Sequence, residues 1–131
     1  MSTADPTAPN PRPRLLLIDD EPLIGMVVQR MFAADYDVVP TTSAAKGLQI
    51  LSRDGPFAVI LCDLMMPERT GMDVYAELVR THPEHARRMV FLTGGAFSPE
   101  TNAFLDQVPN ERIVKPFDAK QFHASLQRAL R

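Results

Sequence analysis

The chain has 131 residues, 45% of them hydrophobic, and a formal net charge of -2 at pH 7 with a pI near 5.9. This length suits one globular domain, and the weak charge gives no electrostatic signature of binding to nucleic acid or to an anionic membrane. The single cysteine, Cys62, excludes an intramolecular disulfide, and no apolar run approaches the ~20 residues that span a bilayer. We therefore expect a cytoplasmic protein that contacts neither nucleic acid nor membrane directly.

The chain begins with a proline-rich stretch. Residues 1–13 hold four of the twelve prolines and almost no apolar side chains. Such a composition buries too little apolar surface to offset the entropy of folding. We predict a disordered tail or linker at 1–13 and one folded domain at 14–131.

The next part of the chain predicts two strands and two helices. Apolar runs indicate the strands, and apolar residues at i, i+4 spacing indicate the helices. In chain order they are a strand at 15–18, a helix from Pro22 to about Phe32, a strand at 36–39 closed by Pro40, and a helix from the Ser43 cap to about Asp54. In the first helix, Leu23, Val27 and Met31 repeat at i, i+4 spacing, with Ile24 and Val28 beside them. Three acids, Asp19-Asp20-Glu21, follow the first strand directly.

The third predicted strand is the central one. Ala58 to Cys62 is wholly apolar and contains β-branched residues, a pattern typical of a strand covered on both faces, and it ends at Asp63. Pro67 and Gly71 break the chain before a helix at about 72–81, in which Val79 is expected to turn inward. Asp63 is therefore expected at the carboxyl edge of a central strand, where open α/β sheets bind ligands.

The remaining pattern completes an alternating α/β fold. In chain order it predicts a strand at 89–92 followed by Thr93-Gly94, a weaker helix after Ser98-Pro99, a short strand at 112–114 followed by Lys115-Pro116-Phe117, and a helix capped by Asp118. Five strands alternating with five helices indicate a parallel sheet wound on both faces. Strands one, three and four are the most apolar and are expected to be central. This predicts the order 2-1-3-4-5 of flavodoxin-like, doubly wound (βα)5 folds.

That strand order brings three carboxylates together. The first and third strands become neighbours, so Asp19, Asp20 and Asp63 are expected to share one pocket. Carboxylates this close repel one another, so either their pKa values rise or a cation neutralises them, and an oxygen-lined, partly hydrated pocket suits Mg²⁺. The alternative is that Asp19 and Asp20 only cap the first helix and favour its dipole.

Two further side chains are expected at the same edge. Thr93 stands at the end of the fourth strand and Lys115 follows the fifth. Taken singly, Lys115 is a solvated or core-pairing lysine and Thr93 a strand-end residue. Together with the acids and the backbone amides near Gly94, they supply the positive charge and hydrogen-bond donors that a transferring phosphoryl group requires, with an aspartate as its acceptor.

This ordered set of residues resembles the receiver domain of two-component response regulators over about 14–131. The residues that carry the resemblance are Asp19-Asp20, Asp63 with Pro67 and Gly71, Thr93, and Lys115-Pro116-Phe117. The resemblance implies that Asp63 is the phosphoacceptor. It also implies that Mg²⁺ or Mn²⁺ is bound directly by Asp20, Asp63 and the backbone carbonyl of Met65, with Asp19 acting through water.

The resemblance extends to the switching residues. It implies that Lys115 contacts the phosphoryl group, that Thr93 turns inward on activation, and that the Lys115–Pro116 peptide is cis. Many receivers carry an aromatic side chain three residues before this lysine, where the present chain has Arg112. The aromatic switch of the family is therefore expected to be atypical here.

The resemblance also implies partners. A sensor histidine kinase or a histidine phosphotransfer domain would donate the phosphoryl group, and a downstream protein would read a surface built from the fourth helix, fifth strand and fifth helix. Homodimerisation is left open. The family is not an enzyme beyond supporting its own phosphorylation and dephosphorylation. Two alternatives stand beside this interpretation: a fragment of a hybrid sensor histidine kinase, in which kinase activity belongs to the larger protein, and a phosphorylation-independent interaction module.

Other candidate groups are interpreted as structural. His82, His85 and His123 are interpreted as polar surface residues, and the basic cluster Arg80, Arg87 and Arg88 as a solvated rim. Core and partner surface are evenly matched for the apolar set near the fourth helix, which consists of Phe97, Phe104 and Val108.

Overall fold

The computed structural model describes residues 12–95 and 98–130. Most of the predicted tail therefore lies outside the described residues. Within them, five strands alternate with helices. The strands are β1 (Arg14–Ile18), β2 (Asp37–Thr41), β3 (Val59–Asp63), β4 (Met89–Thr93) and β5 (Arg112–Val114). The helices are α1 (Pro22–Phe32), α2 (Ala44–Arg53), α3 (Gly71–Thr81), α4 (Pro83–Arg87), α5 (Pro99–Gln107) and α6 (Ala119–Ala129).

The strands form one parallel sheet in the order β2-β1-β3-β4-β5. The predicted fold class and strand order are confirmed. The register pairs Ile18 with Cys62 and Asp63 with Leu92, so the carboxyl ends of the three central strands lie almost level. Side chains that follow these strands are thereby brought to one edge of the sheet.

The core has two apolar layers, one on each face of the sheet. Alternate residues of β1 and β3 belong to different layers, with Leu16 and Ile60 in one and Leu17 and Leu61 in the other. Helices α2, α3 and α5 cover the first layer, and α1 and α6 cover the second. Each fully buried side chain of this kind contributes roughly 1.5 to 3 kcal/mol by leaving water. The burial of both faces explains why the central strands are continuously apolar.

One predicted inward position, Val79, is exposed, and so is Leu23, the first residue of the apolar repeat in α1. Leu23 is 64% exposed and Val79 is 49% exposed. In α1 the buried residues are instead Gly25, Val28 and Phe32. Apolar residues occur on neighbouring faces of these helices, so the i, i+4 pattern alone does not fix how each helix is rotated against the sheet.

Two prolines differ from the predictions. Pro40 lies within β2 and does not close it; because β2 is an edge strand, the missing N–H is tolerated there. Pro83 follows the end of α3 and begins the short helix α4, which the sequence pattern did not predict; its fixed φ suits the first turn. The described residues therefore form six helices, one more than the five that were predicted.

Helix α4 buries His85, so the interpretation of this residue as a surface group is wrong. His85 is 4% exposed, and its Nε2 accepts a hydrogen bond from the Phe57 N–H at 3.3 Å. Burial, followed by the charges of His82 and Arg88, lowers the pKa of His85. The neutral ring therefore acts as an acceptor that secures the segment leading into β3.

No helix in the described part of the chain combines the length and the apolar character needed to cross a membrane.

Gly71 fixes the approach of α3 to the end of β3. A Cβ at this position would lie 2.7 Å from the Asp63 carbonyl oxygen and 3.0 Å from the Leu64 Cα. Both contacts are with backbone, which cannot turn aside as a flexible side chain would. The Gly71 N–H donates to the Leu64 carbonyl at 3.0 Å, so the loop between them is closed at its base.

Gly71→Ala is expected to lower the free energy of unfolding by about 1 to 3 kcal/mol, the usual range for forcing extra volume into a packed site. Urea unfolding followed by circular dichroism measures the change. Gly94→Ala is the matched control, since a Cβ there meets no atom within 4 Å among the described residues. An equal loss in both variants would show that the close approach at Gly71 is not the cause.

Candidate functional site

Four strand ends place polar side chains at the carboxyl edge of the sheet. Asp19 follows β1, Asp63 is the last residue of β3, Thr93 is the last residue of β4, and Lys115 follows β5. The structure therefore brings these four predicted site residues together.

Three carboxylates form the acidic part of this site. Asp19, Asp20 and Asp63 each offer an oxygen, and these oxygens all lie within 4.8 Å of one another. Asp19 is 1% exposed and Asp63 6%, whereas Asp20 is exposed. Because all the donors are oxygens and one side of the cluster is open to water, the arrangement suits a hard divalent cation such as Mg²⁺.

Lys115 supplies the positive charge of the site. Its Nζ lies 3.0 Å from Asp19 Oδ2, 3.5 Å from Asp63 Oδ2 and 3.7 Å from Glu21 Oε1. Burial alone would lower the pKa of Lys115. The hydrogen bond to Asp19 and the charges of Asp63, Asp19 and Glu21 outweigh this effect, so the pKa is raised. Lys115 is therefore fully protonated beside the acids.

Asp63 is under opposite electrostatic influences. Burial and the charge of Asp19 raise its pKa, while the Met65 backbone N–H and Lys115 lower it, and the net effect is a raised pKa. The Met65 N–H donates to Asp63 Oδ1 at 3.2 Å, which leaves Oδ2 on the side of Lys115. The Met65 side chain is 57% exposed at the mouth of the site.

The two oxygens of Asp19 serve different purposes. Oδ1 accepts a hydrogen bond from the Glu21 N–H at 2.9 Å, and Glu21 is the N-cap residue of α1. Oδ2 accepts from Lys115. Asp19 thus holds the N-cap residue of α1 and also belongs to the site. The N-cap is Glu21 and not Asp19 or Asp20, so the alternative that these two aspartates only cap the helix does not hold.

Thr93 lies at the same edge of the sheet as the acids, at the end of β4. It is buried, and its hydroxyl oxygen makes no hydrogen bond to any described residue. The next strand is tied to it through the backbone, because the Lys115 N–H donates to the Thr93 carbonyl at 2.8 Å. Gly94, which follows Thr93, is exposed. A buried unsatisfied hydroxyl costs about 1 to 3 kcal/mol, which a ligand oxygen at the site would recover.

The remaining predicted residues lie near the site or on its flank. The Lys115–Pro116 peptide bond is cis. Arg112 is exposed on β5 and does not pair with any described carboxylate. Glu21, which sequence reasoning did not select, contacts Lys115; its position directly after the two aspartates was the available signal.

For the apolar set near the fourth predicted helix, which is α5 in the structure, two of the three residues can be assigned to the core or to the surface. Phe104 packs edge-on against Tyr75 and Phe91 with ring centroids 5.5 and 5.4 Å apart, and Val108 packs against the same core. Both are half-buried core residues. Phe97 lies outside the described residues.

Comparison with known proteins defines the class to which this fold and site belong. A model of the response regulator receiver domain matches residues 15–127. The transcriptional regulatory protein GlrR of Escherichia coli (strain K12) is 31% identical over 117 residues, which cover 88% of this chain and 26% of that protein. The two-component response regulator ORR3 of Oryza sativa subsp. japonica is 30% identical over 84% of this chain and 85% of its own.

Solved structures agree. The chemotaxis protein CheY4 of Vibrio cholerae is 27% identical with a TM-score of 0.77, covering 92% of this chain and all of that one. The chain belongs to the response regulator receiver domain family. It spans only 26% to 50% of the length of several of the regulators it matches, so the activities of those whole proteins are not thereby assigned to it.

Asp63→Asn is expected to raise the free energy of unfolding at pH 7 in EDTA, by about 0.5 to 2 kcal/mol, because it removes a buried like charge beside Asp19. The sign follows from the pKa, which is raised in the folded chain above its ordinary value of 3.8. The folded chain therefore holds the proton more tightly, and ionisation destabilises it as the pH rises. The gain should vanish below about pH 3.8, where the carboxyl is protonated in both states.

Urea unfolding at several pH values checks this expectation. Asp106→Asn, an exposed acid on α5, is the matched control and should stay within about 0.5 kcal/mol of the wild type. A loss of stability in Asp63→Asn at pH 7 would contradict the electrostatic account of the site.

Proposed function

We propose that this chain is a phosphoacceptor switch in a two-component phosphorelay, in which Asp63 receives a phosphoryl group from a phosphohistidine in a Mg²⁺-dependent reaction. The observation that carries the proposal is the placement of Asp63 Oδ2 3.5 Å from Lys115 Nζ, within a cluster of three carboxylates. A lone buried aspartate would repel a phosphate. An acid cluster that binds a cation, with an ammonium beside it, supplies the positive charge that a phosphate needs.

The proposed reaction forms one bond and breaks one. A carboxylate oxygen of Asp63 attacks the phosphorus of the phosphohistidine, the phosphorus–nitrogen bond breaks, and the electron pair stays on the imidazole nitrogen, which takes up a proton from solvent. The product is an aspartyl phosphate, a mixed anhydride that water hydrolyses. Positioning and charge stabilisation supply most of the catalysis in such transfers.

The metal site we propose consists of Asp20, Asp63 and the backbone carbonyl of Met65, with Asp19 acting through water. When bound there, Mg²⁺ or Mn²⁺ would offset charge on the phosphoryl oxygens and on the acids. The donor set supports this proposal, since the described carboxylates supply only oxygen ligands and Asp20 is open to solvent.

Lys115 and Thr93 are proposed to hold the product. Lys115 donates to a phosphoryl oxygen, which replaces part of its pairing with Asp19. Thr93 turns its unpartnered hydroxyl to another phosphoryl oxygen, with backbone amides near Gly94 completing the set. The buried unsatisfied hydroxyl supports the role of Thr93, because the donor is already present and has no competing partner among the described residues.

The surface we propose as the output consists of α5, β5 and α6. Movement of Thr93 is transmitted to β5 through the Lys115 N–H, which is bonded to the Thr93 carbonyl. Val114 on β5 is exposed, so an apolar side chain is available to a partner there. Arg112, on the same strand, takes the place of the family's aromatic switch residue. We leave homodimerisation through this surface open.

We also propose the domain bounds, the phosphoryl donor and the cellular location, on the basis of membership of the receiver domain family. The receiver domain occupies 14–131 and residues 1–13 serve as a tail or linker. A sensor histidine kinase or a histidine phosphotransfer domain donates the phosphoryl group in the cytoplasm. The chain itself is proposed to support only its own phosphorylation and dephosphorylation, not the turnover of another substrate.

Incubation with acetyl phosphate and Mg²⁺, followed by intact mass measurement, tests phosphorylation directly. The wild type should gain one phosphoryl group, and Asp63→Asn or the addition of EDTA should abolish the gain. Asp106→Asn is the matched control and should be labelled like the wild type. Labelling of Asp63→Asn to the same extent would place the acceptor elsewhere, and no labelling by acetyl phosphate or by a phosphohistidine donor would overturn the proposed function.

Lys115→Met is expected to slow phosphorylation by acetyl phosphate about 10²- to 10³-fold, the usual effect of removing one charged donor from a transition state. The initial rate of labelling measures this effect. Lys120→Met, which removes an exposed lysine from α6, should retain the wild-type rate. An unchanged rate in Lys115→Met would show that the ammonium does not act on the phosphoryl group.

A further inference from the structure

A second charged region lies at the opposite, amino-terminal edge of the sheet. A groove of about 900 Å³ opens there between the starts of the strands and the end of α6. Five arginines line it, namely Arg12, Arg14, Arg87, Arg88 and Arg128. Such a concentration is unexpected in a chain whose net charge is -2.

Several of these guanidinium groups are fixed in position without being neutralised. Arg14 donates to the Asp54 carbonyl at 2.7 Å and lies 4.1 Å from the centroid of the Phe57 ring. Arg88 donates to the Phe57 carbonyl at 3.2 Å. A carbonyl oxygen and an aromatic ring orient the guanidinium but leave its net charge and its other N–H donors unpaired.

Carboxylates compensate little of this charge within the described residues. Arg128 pairs with Glu111 at 2.9 Å, but the other four groove arginines have no described carboxylate oxygen within 4.0 Å. Glu84 is the other acid that lines the groove. Like charges that line one groove repel one another, and an anionic ligand would offset that repulsion. The planar guanidinium fork is suited to binding carboxylates in pairs of hydrogen bonds.

The groove also has apolar surface. Tyr75 and Pro109 line it, and Leu130, at its border, is 42% exposed. Glu84 and Glu111 interrupt the positive charge. A uniform polyanion such as a nucleic acid would meet these two acids unfavourably, whereas a peptide that mixes acidic and apolar side chains can complement all three kinds of surface.

We propose that this groove binds an acidic, partly apolar peptide segment of a partner protein, whose carboxylates pair with Arg12, Arg14, Arg87 and Arg88. The groove lies at the opposite ends of the parallel strands from Asp63. Binding therefore leaves the carboxyl edge open and does not depend on the proposed phosphoryl chemistry. Arg87 is exposed and Arg88 half-buried, which agrees with their interpretation as part of a solvated rim, and the proposal adds a ligand for them.

Fluorescence polarisation with a labelled peptide of repeated Glu-Glu-Leu units tests the proposal on the full chain. Saturable binding is expected at low ionic strength, weakening as salt is added because the charges are partly exposed. A peptide with Gln in place of Glu should not bind. Absence of saturable binding, or equal binding of the Gln peptide, would overturn the proposal.

Charge reversal locates the site. The double variant Arg12→Glu, Arg87→Glu removes two exposed groove charges and should weaken binding of the Glu-Glu-Leu peptide about tenfold or more. The matched control, Arg30→Glu with Lys120→Glu, makes the same change of charge at exposed positions outside the groove and should stay within about twofold. Circular dichroism and urea unfolding confirm that both variants are folded. Equal weakening in the two would show that only overall charge matters.

Amide chemical-shift mapping by NMR provides a measurement that does not depend on a variant. The wild type should show perturbations at Phe57, Arg88 and Glu111 on addition of the peptide, with Asp19 and Asp63 unaffected. Perturbations confined to the carboxyl edge would overturn the proposal. So would an oligothymidylate that displaces the peptide from these residues and binds more tightly, since the groove would then be a nucleic-acid site.

Discussion

The pairing of Lys115 with two buried carboxylates is the interaction on which the site depends. Asp19 and Asp63 are almost fully buried, and two like charges about 4 Å apart repel by ~4 kcal/mol at an effective dielectric constant near 20. That repulsion is comparable to a large part of the ~5 to 15 kcal/mol that stabilises a whole domain. The ammonium of Lys115, 3.0 Å from Asp19 and 3.5 Å from Asp63, offsets part of it. The pKa of Asp63 is still raised, first by burial and then by the charge of Asp19. The fold thus holds ionisable groups with raised pKa values at one edge of the sheet, a pattern that is common at functional sites.

Strand order creates this concentration of charge from residues that are distant in the sequence. Asp19 and Asp63 come together because β1 lies beside β3, and Lys115 reaches them from the end of β5 across β4. The strands β1, β3, β4 and β5 each carry a site residue at or just beyond their last position. The register of the sheet, which pairs Asp63 with Leu92, therefore also sets how far along the sheet these side chains lie. Gly71 serves the same geometry, since it lets α3 begin directly against the backbone of Asp63 and Leu64.

The sequence was sufficient to predict the fold and the convergence of Asp19, Asp63 and Lys115 at one edge of the sheet, because each rests on a strong local signal. Continuous apolar runs marked the buried strands, and polar residues placed directly after them marked the edge where ligands bind. Local patterns failed where the outcome depends on the neighbouring layer. The rotation of α1 exposes Leu23 although the spacing allowed it to be buried, and Pro40 is accommodated only because β2 is an edge strand. Burial of His85 depends on the short α4, whose single turn is too brief to show a period.

The charges at the two edges of the sheet are arranged to match its helices. In this parallel fold, α1 and α3 begin at the carboxyl edge, where their positive dipole ends face Asp19 and Asp63. At the amino edge, α1 and α2 end, and the carbonyls of their C-cap residues, Ala33 and Asp54, accept hydrogen bonds from Arg12 and Arg14. Arg12 and Arg14 therefore have a structural reason to be at this edge, but that reason accounts for one N–H group in each. The positive ends of the helix dipoles favour the acid cluster at the carboxyl edge of the sheet. Their negative ends favour the arginines at the amino edge, which have further N–H donors that an anion can use. The polarity of the fold thus provides two oppositely charged surfaces, which lie at opposite ends of the parallel strands.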